Sequence, residues 1–284
     1  MRNFLVALAL LTAGAAQAQQ PIRKISFTPG QQLQKATVSK MTIEMDMMGM
    51  PLTIDQNVTI TADFTINKSS AKDFSATSKI KRIVASMNGM GQDMSFDSDK
   101  PEDRQGEMGK VMGEKLDKPV TVTVDANGII TAVDSSAVTA SPATGGMMDA
   151  LALGTPLGDP KPGGQYELIA KLPARTLKVG ESWADSTVDK DGKATTTYLV
   201  KELTKGQVVI AINGILSRAG TIDQMGMSFN LDLKGTTEGQ LIADTATGLV
   251  KSRQLKGEAK GTLEASGQTI PLNMKYTSDE NVTK

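Results

Sequence analysis

The sequence predicts a mostly β protein: two related antiparallel β units, each a curved sheet or half-barrel, with one or two short helices in the connecting segments. Three observations carry this expectation. Long stretches alternate apolar and polar residues at period two, as half-buried strands do. Turn residues punctuate them at short, regular intervals. Finally, Lys72–Asp99 (KDFSATSKIKRIVASMNGMGQDMSFDSD) echoes Gly206–Leu233 (GQVVIAINGILSRAGTIDQMGMSFNLDL), setting Met94-Ser95-Phe96 on Met227-Ser228-Phe229. In the same frame Phe64 falls near Tyr198.

The elements follow in chain order. Residues 1–18 read as a signal peptide: Arg2, an apolar run from Phe4, and Ala16-Gln17-Ala18 as the cleavage site. The apolar run is short for a membrane span. The chain has no Cys to accept a lipid at that point, so a cleaved, unanchored periplasmic or secreted protein is expected. Residues 19–134 form the N-terminal unit. IRKISFTPG is expected as a short first strand. In ATVSKMTIEMDM, Val38, Met41, Ile43, Met45 and Met47 oppose Thr42, Glu44 and Asp46. After Met48-Gly49-Met50-Pro51, one face carries Leu52, Ile54, Val58, Ile60, Ala62, Phe64 and Ile66, interrupted by Gln56.

Residues 101–116 break the alternation. Pro101 suits a first helical position, and Glu102 and Asp103 suit the positive end of a helix dipole. Met108, Val111, Met112 and Leu116 then recur at helical spacing. PVTVTVDANGIITAV is a hairpin about Asp125–Gly128. Residues 135–165 form a linker rich in Ser, Pro and Gly, with MMDALAL at 147–153 as a helical segment. The C-terminal unit, 166–284, continues with Trp183 opening a strand, then hairpins turned at Asp189–Gly192, Gln224-Met225-Gly226 and Asp244–Gly248. About six strands per unit are expected, and the polar tail from Asp279 is expected to fray.

Composition excludes more than it identifies. There is no His and no Cys, so imidazole acid–base chemistry, Ser-His-Asp and Cys-His nucleophiles, and His or thiolate metal sites are absent. Formal net charge is zero, with 31 basic and 31 acidic residues, and no basic stripe for nucleic acid. Aromatics are 4% of the chain while Met occurs 16 times, so cores rest on aliphatics and Met.

Three residue sets could carry a function. The Met-rich strands could supply thioethers to Cu(I), but strand periodicity explains them as core or as the lining of an apolar cavity. Candidate lining residues are Met45, Met47, Phe64, Met94, Phe96, Trp183, Met227 and Phe229. The turns Asp125–Gly128 and Asp189–Gly192 resemble the start of a calcium loop but lack its later acid, and Asp, Asn and Gly are ordinary turn residues. The pairs Glu44/Asp46 and Asp97/Asp99 could serve an acid-only hydrolase, yet acids at period two also suit a solvated strand face. No residue is assigned a catalytic, cofactor or metal role.

LPARTLKVGESW, at 172–183, and VDANGII, at 124–130, resemble a family of secreted bacterial β-proteins of unknown function common in Bacteroidetes. The resemblance implies a two-unit β architecture and an extracytoplasmic location. A looser likeness is to periplasmic lipid or lipoprotein carriers, whose curved sheets wrap an apolar cavity, with residues 101–116 or 147–153 as lid. The resulting expectation is an exported, non-enzymatic protein binding a lipid, another apolar small molecule or another envelope protein. The alternative is a structural or interaction module with no cavity; an acid-only hydrolase or Cu(I) binder ranks below both.

Overall fold

The computed structural model describes residues 25–47, 49–89, 91–134, 160–173, 175–189, 192–224, 227–265 and 267–284. The signal segment and the 147–153 run lie outside them.

Among the described residues the chain forms β1 (Gln32–Met47), β2 (Met50–Ser69), β3 (Asp73–Gly89), β4 (Gln92–Asp97), α1 (Pro101–Gln105), α2 (Glu107–Met112), β5 (Pro119–Asp125) and β6 (Ile130–Asp134). Then come β7 (Ser182–Asp189), β8 (Gly192–Thr204), β9 (Gln207–Gln224), β10 (Met227–Ala243), β11 (Val250–Ala265) and β12 (Gln268–Thr283). The mostly β, antiparallel fold class is borne out, as is the count of six strands in each half. The halves, however, are not separate sheets. They join through β1 and β12 into one open sheet, ordered β6-β5-β3-β2-β1-β12-β11-β10-β9-β8-β7, with β4 beside the far end of β3. The echoed hairpins also differ, because β4 is six residues long and off that path whereas β10 has 17 and is paired on both sides.

Period-two alternation assigns one face of the long strands inward. Across β2, β1, β12 and β11 the register aligns Ile54, Ile43, Met274 and Ala259 on that face. The outward face is mostly polar, with Val38 and Ile215 exposed on it, and is cross-linked: Thr42 donates to Asp55 at 2.6 Å, Gln34 to Asp63 at 3.0 Å, and Lys256 pairs with Glu238 at 2.7 Å. Inward glycines let the sheet bend. A β-carbon on Gly257 would lie 2.5 Å from the Tyr276 ring and 2.6 Å from the Thr236 carbonyl oxygen. The ring therefore lies over Gly257, and its hydroxyl bonds Thr237. An aromatic covering a glycine in this way restores the packing the glycine lacks.

The described residues of 160–181 form no strand and run across one end of the sheet. Gly163 N donates to Ile130 O at 2.8 Å, Tyr166 N to Gly128 O at 2.8 Å, and Ala170 N to Gly248 O at 2.8 Å. This strap thus links the β5–β6 hairpin to the β10–β11 turn. Tyr166, Leu168, Ile169 and Ala170 are buried, and Glu167 forms an ion pair with the buried inward Lys35.

Four local expectations need correction. Ile25–Thr28 is not a strand, although Ile25 and Phe27 are buried; Phe27 N bonds a side chain, Ser69 Oγ, at 3.1 Å, and Pro29 has no N–H to continue a ladder. Val38 faces outward and is 37% exposed, while Lys35, Thr37 and Ser39 take the inward positions. The 101–116 helix is two short helices, broken at Gly106, whose ψ of 176° is extended. The tail is not frayed: Val38↔Asp279 through Gln34↔Thr283 continue the β1–β12 ladder, and Glu280 is buried.

Candidate functional site

The inward face divides into four apolar clusters. Three include residues from outside the strands. The first joins Phe64, Ile66 and Phe74 to Ile25, Phe27 and the strap residues Tyr166, Leu168 and Ile169. The second joins Val200, Val208, Ile210 and Leu241 to Ala170 and Leu177. The third places Met108 and Met112, from α2, and Leu116 over Val58, Ile60, Ile83, Ala85 and Phe96. The fourth differs. Met41, Ile43, Met45, Leu231, Leu233, Ala259, Leu263, Ile270, Leu272 and Met274 all come from β1, β10, β11 and β12, and the partly buried Leu52, Ile54, Phe229 and Tyr276 are strand residues too. Among the described residues this cluster contains no helix or strap side chain.

The candidate lining residues do not gather at one point. Met45 and Phe229 belong to the fourth cluster, Phe64 to the first and Phe96 to the third. Trp183 packs on the second and stacks on Tyr198, with centroids 5.3 Å apart and an interplanar angle of 16°. Met94 is half-buried and faces Met87 in register. Met227 pairs with Gln224 through the backbone; its side chain, like that of Met47, lies outside the described residues. Replacing Met45 by Ala should cost about 2–3 kcal/mol, low in the range for such truncations because the residue sits near the end of β1. Replacement by Leu should cost under about 1.5 kcal/mol. Urea unfolding of the two variants checks this pair.

Above the fourth cluster the inward face turns polar, which sequence reasoning missed. Along β1, Met45, Ile43 and Met41 give way to Ser39, Thr37 and Lys35. Ser39 pairs in register with Ser278, and Thr37 with Glu280; Glu280 in turn pairs with Arg253, and Met41 with Gln56. Thr37 and Glu280 are 1% and 8% exposed, Gln56 9%. Thr37 Oγ1, Gln56 Oε1 and Glu280 Oε2 are buried atoms without a hydrogen-bond partner. Arg253 Nη1 stands 3.3 Å from Glu280 Oε2, within ion-pair range but outside hydrogen-bond geometry. The period-two run S-K-M-T-I-E-M was the available signal, but without the pairing its upstream phase was ambiguous between Val38 and Thr37.

The other candidate sets have structural partners. Asp125 Oδ1 accepts from Asn127 N and Ile129 N, each at 2.8 Å, which closes a turn. Part of the Asp189–Gly192 turn lies outside the described residues. On the outward face, Glu44 accepts from Asn273 at 2.6 Å and Asp46 from Gly49 N at 2.8 Å. The backbone N–H of Asp99 and the Arg82 guanidinium hold the Asp97 carboxyl below the usual carboxylate range, the opposite of what a general acid needs. Asp99 itself pairs with Arg82 Nε at 2.9 Å.

With this geometry in hand, comparison with known proteins identifies relatives. A family model described as a family of unknown function (DUF6263) matches residues 71–147 and 165–250. The chain belongs to this family. No curated protein matches it. Among solved structures, one described as lipid–protein interactions in lipovitellin is similar with a TM-score of 0.50 and 12% identity, covering 91% of this chain. The family member spans only 26% of the lipovitellin chain. An outer membrane channel from Pseudomonas putida F1 matches with a TM-score of 0.27 and 10% identity, over 93% of this chain and 99% of that one. The lipovitellin likeness shows the fold alone.

Proposed function

We propose that this protein is an exported, non-enzymatic carrier that holds an apolar or amphiphilic small molecule against the inward face of its sheet. The observation that carries the reading is the fourth cluster: buried apolar side chains drawn, among the described residues, from the sheet's own strands, with no helix or strap side chain among them. Apolar binding sites are concave surfaces lined mainly by hydrophobic side chains with a few placed polar groups. The polar outward face supports a protein bathed in water and not a lipid-facing barrel, which would turn an apolar band outward. The lipid named in the lipovitellin description is consistent with a sheet of this kind serving that end. Residues 1–18 support export to the periplasm or beyond.

Lipidomic mass spectrometry of the protein purified from its native envelope tests the proposal. A stoichiometric apolar or amphiphilic compound is expected. Protein that is empty as isolated, and that takes up no alkyl compound when offered one, would leave the structural-module alternative.

A further inference from the structure

We infer that the inward polar stripe seats the head of an amphiphile, and that this head donates hydrogen bonds and carries no net negative charge. The inference rests on the carrier reading and specifies its ligand. Thr37, Gln56 and Glu280 are each at least nine-tenths buried, and each has a side-chain oxygen without a hydrogen-bond partner. Buried polar atoms are nearly always paired, so three orphans on adjacent strands call for an explanation. All three face inward, Thr37 and Glu280 in register on β1 and β12, and Gln56 on the neighbouring β2. They lie directly along the strands from the fourth cluster: Gln56 is level with Met41, and Thr37 is four residues further along β1. At about 3.3 Å per residue, the stripe from Met41 to Thr37 is roughly 13 Å long. The apolar stretch from Met41 to Met45 has the same length. An alkyl chain on the cluster would therefore bring its head to the stripe.

The chemistry of the orphans selects the head. Gln56 Oε1 and Glu280 Oε2 only accept; Thr37 Oγ1 can accept or donate. A matching head must supply donors, as hydroxyl or amine groups do. The nearby charges are already opposed, Arg253 by Glu280 and Lys35 by Glu167. A carboxylate or phosphate would meet the Glu280 carboxylate with no uncommitted cation among these groups. A monoacylglycerol has the required character: two hydroxyls, no charge and one chain.

Native mass spectrometry with competing ligands tests this on the full chain. The probes are monoolein, oleate and methyl oleate, which share one alkyl chain and differ in the head. Wild type should bind monoolein about tenfold more tightly than methyl oleate, the scale expected when buried acceptors are left unmet. The Thr37→Val/Gln56→Leu variant should lose that preference while still binding methyl oleate. This variant removes two orphans, so it should fold at least as well as wild type, and thermal unfolding confirms that. Equal binding of all three probes by wild type would overturn the head-group inference and leave the carrier reading standing. A preference for oleate would overturn it as well. Binding of none would overturn both.

Discussion

Replacing Gly261 by Val should cost at least about 3 kcal/mol and lower the midpoint of urea unfolding accordingly. The residue is inside β11, between Leu233 of β10 and Leu272 of β12. A β-carbon built there would fall on the Asp232 carbonyl oxygen and 2.9 Å from the Leu233 Cα. Those are backbone atoms of a strand paired on both sides, so no side-chain rotation relieves the clash. Overpacking usually costs about 1–3 kcal/mol, and a β-branched residue against fixed backbone belongs at the top of that range. Gly113 provides the control, since a β-carbon there meets nothing within 4 Å. Gly113→Ala should change stability little. Equal midpoints for wild type and the Gly261 variant would show that the sheet is not held to this curvature.

Tyr166→Ala should cost about 3–5 kcal/mol, as loss of a buried aromatic does. The ring anchors the strap, meeting Phe74 edge-on with centroids 5.7 Å apart. Tyr166→Phe should behave oppositely. Its hydroxyl has no hydrogen-bond partner, so removing it keeps the packing and takes away an unmet polar group. The substitution also alters the alkaline limb. Burial first, and the Glu167 charge second, raise the Tyr166 phenol well above its ordinary value of 10.0. As pH rises through 10.0 the unfolded chain releases a proton that the folded chain retains, so stability falls with rising pH. Below 10.0 both states hold the proton and nothing is lost. Tyr166→Phe should flatten this decline, leaving the smaller part due to Tyr198, whose phenol is also raised by burial. Unfolding midpoints measured from neutral pH into the alkaline range check both signs. An unchanged alkaline slope in Tyr166→Phe would count against the buried placement of the hydroxyl.

Much of the fold was legible because strand alternation reports one physical fact, the side of the sheet each residue takes. β2 is the clearest case: Ile54, Val58, Ile60, Ala62, Phe64 and Ile66 all face inward as the pattern requires, and Gln56 interrupts them on that same face. Pairing between distant strands was not legible. Nothing local to Asp279–Thr283 marks it as a partner of β1, because its polar residues suit either a free tail or a ladder with one solvated face. The polar stripe was hidden for the same reason. Thr37 and Ser39 read as solvated residues until Glu280 and Ser278 are placed beside them. The broken helix at Gly106 was partly legible, since glycine weakens a helix interior without saying where it will break.

The pairing of β1 with β12 has a consequence for how the chain is made. Of the described strands β1 is the first to leave the ribosome, but its second neighbour, β12, is the last of them. At typical synthesis rates the wait is on the order of tens of seconds. Throughout it, one edge of β1 and, later, one edge of β11 lack their final partner, and open edges invite pairing with other chains. β1 carries Lys35, Lys40, Glu44 and Asp46 along its length, charges of the kind that discourage such pairing. A nascent chain stalled before Gln268 would hold two unpaired edges, on β1 and β11, beyond the outer edges of β6 and β7, and should be the most aggregation-prone stage of biosynthesis.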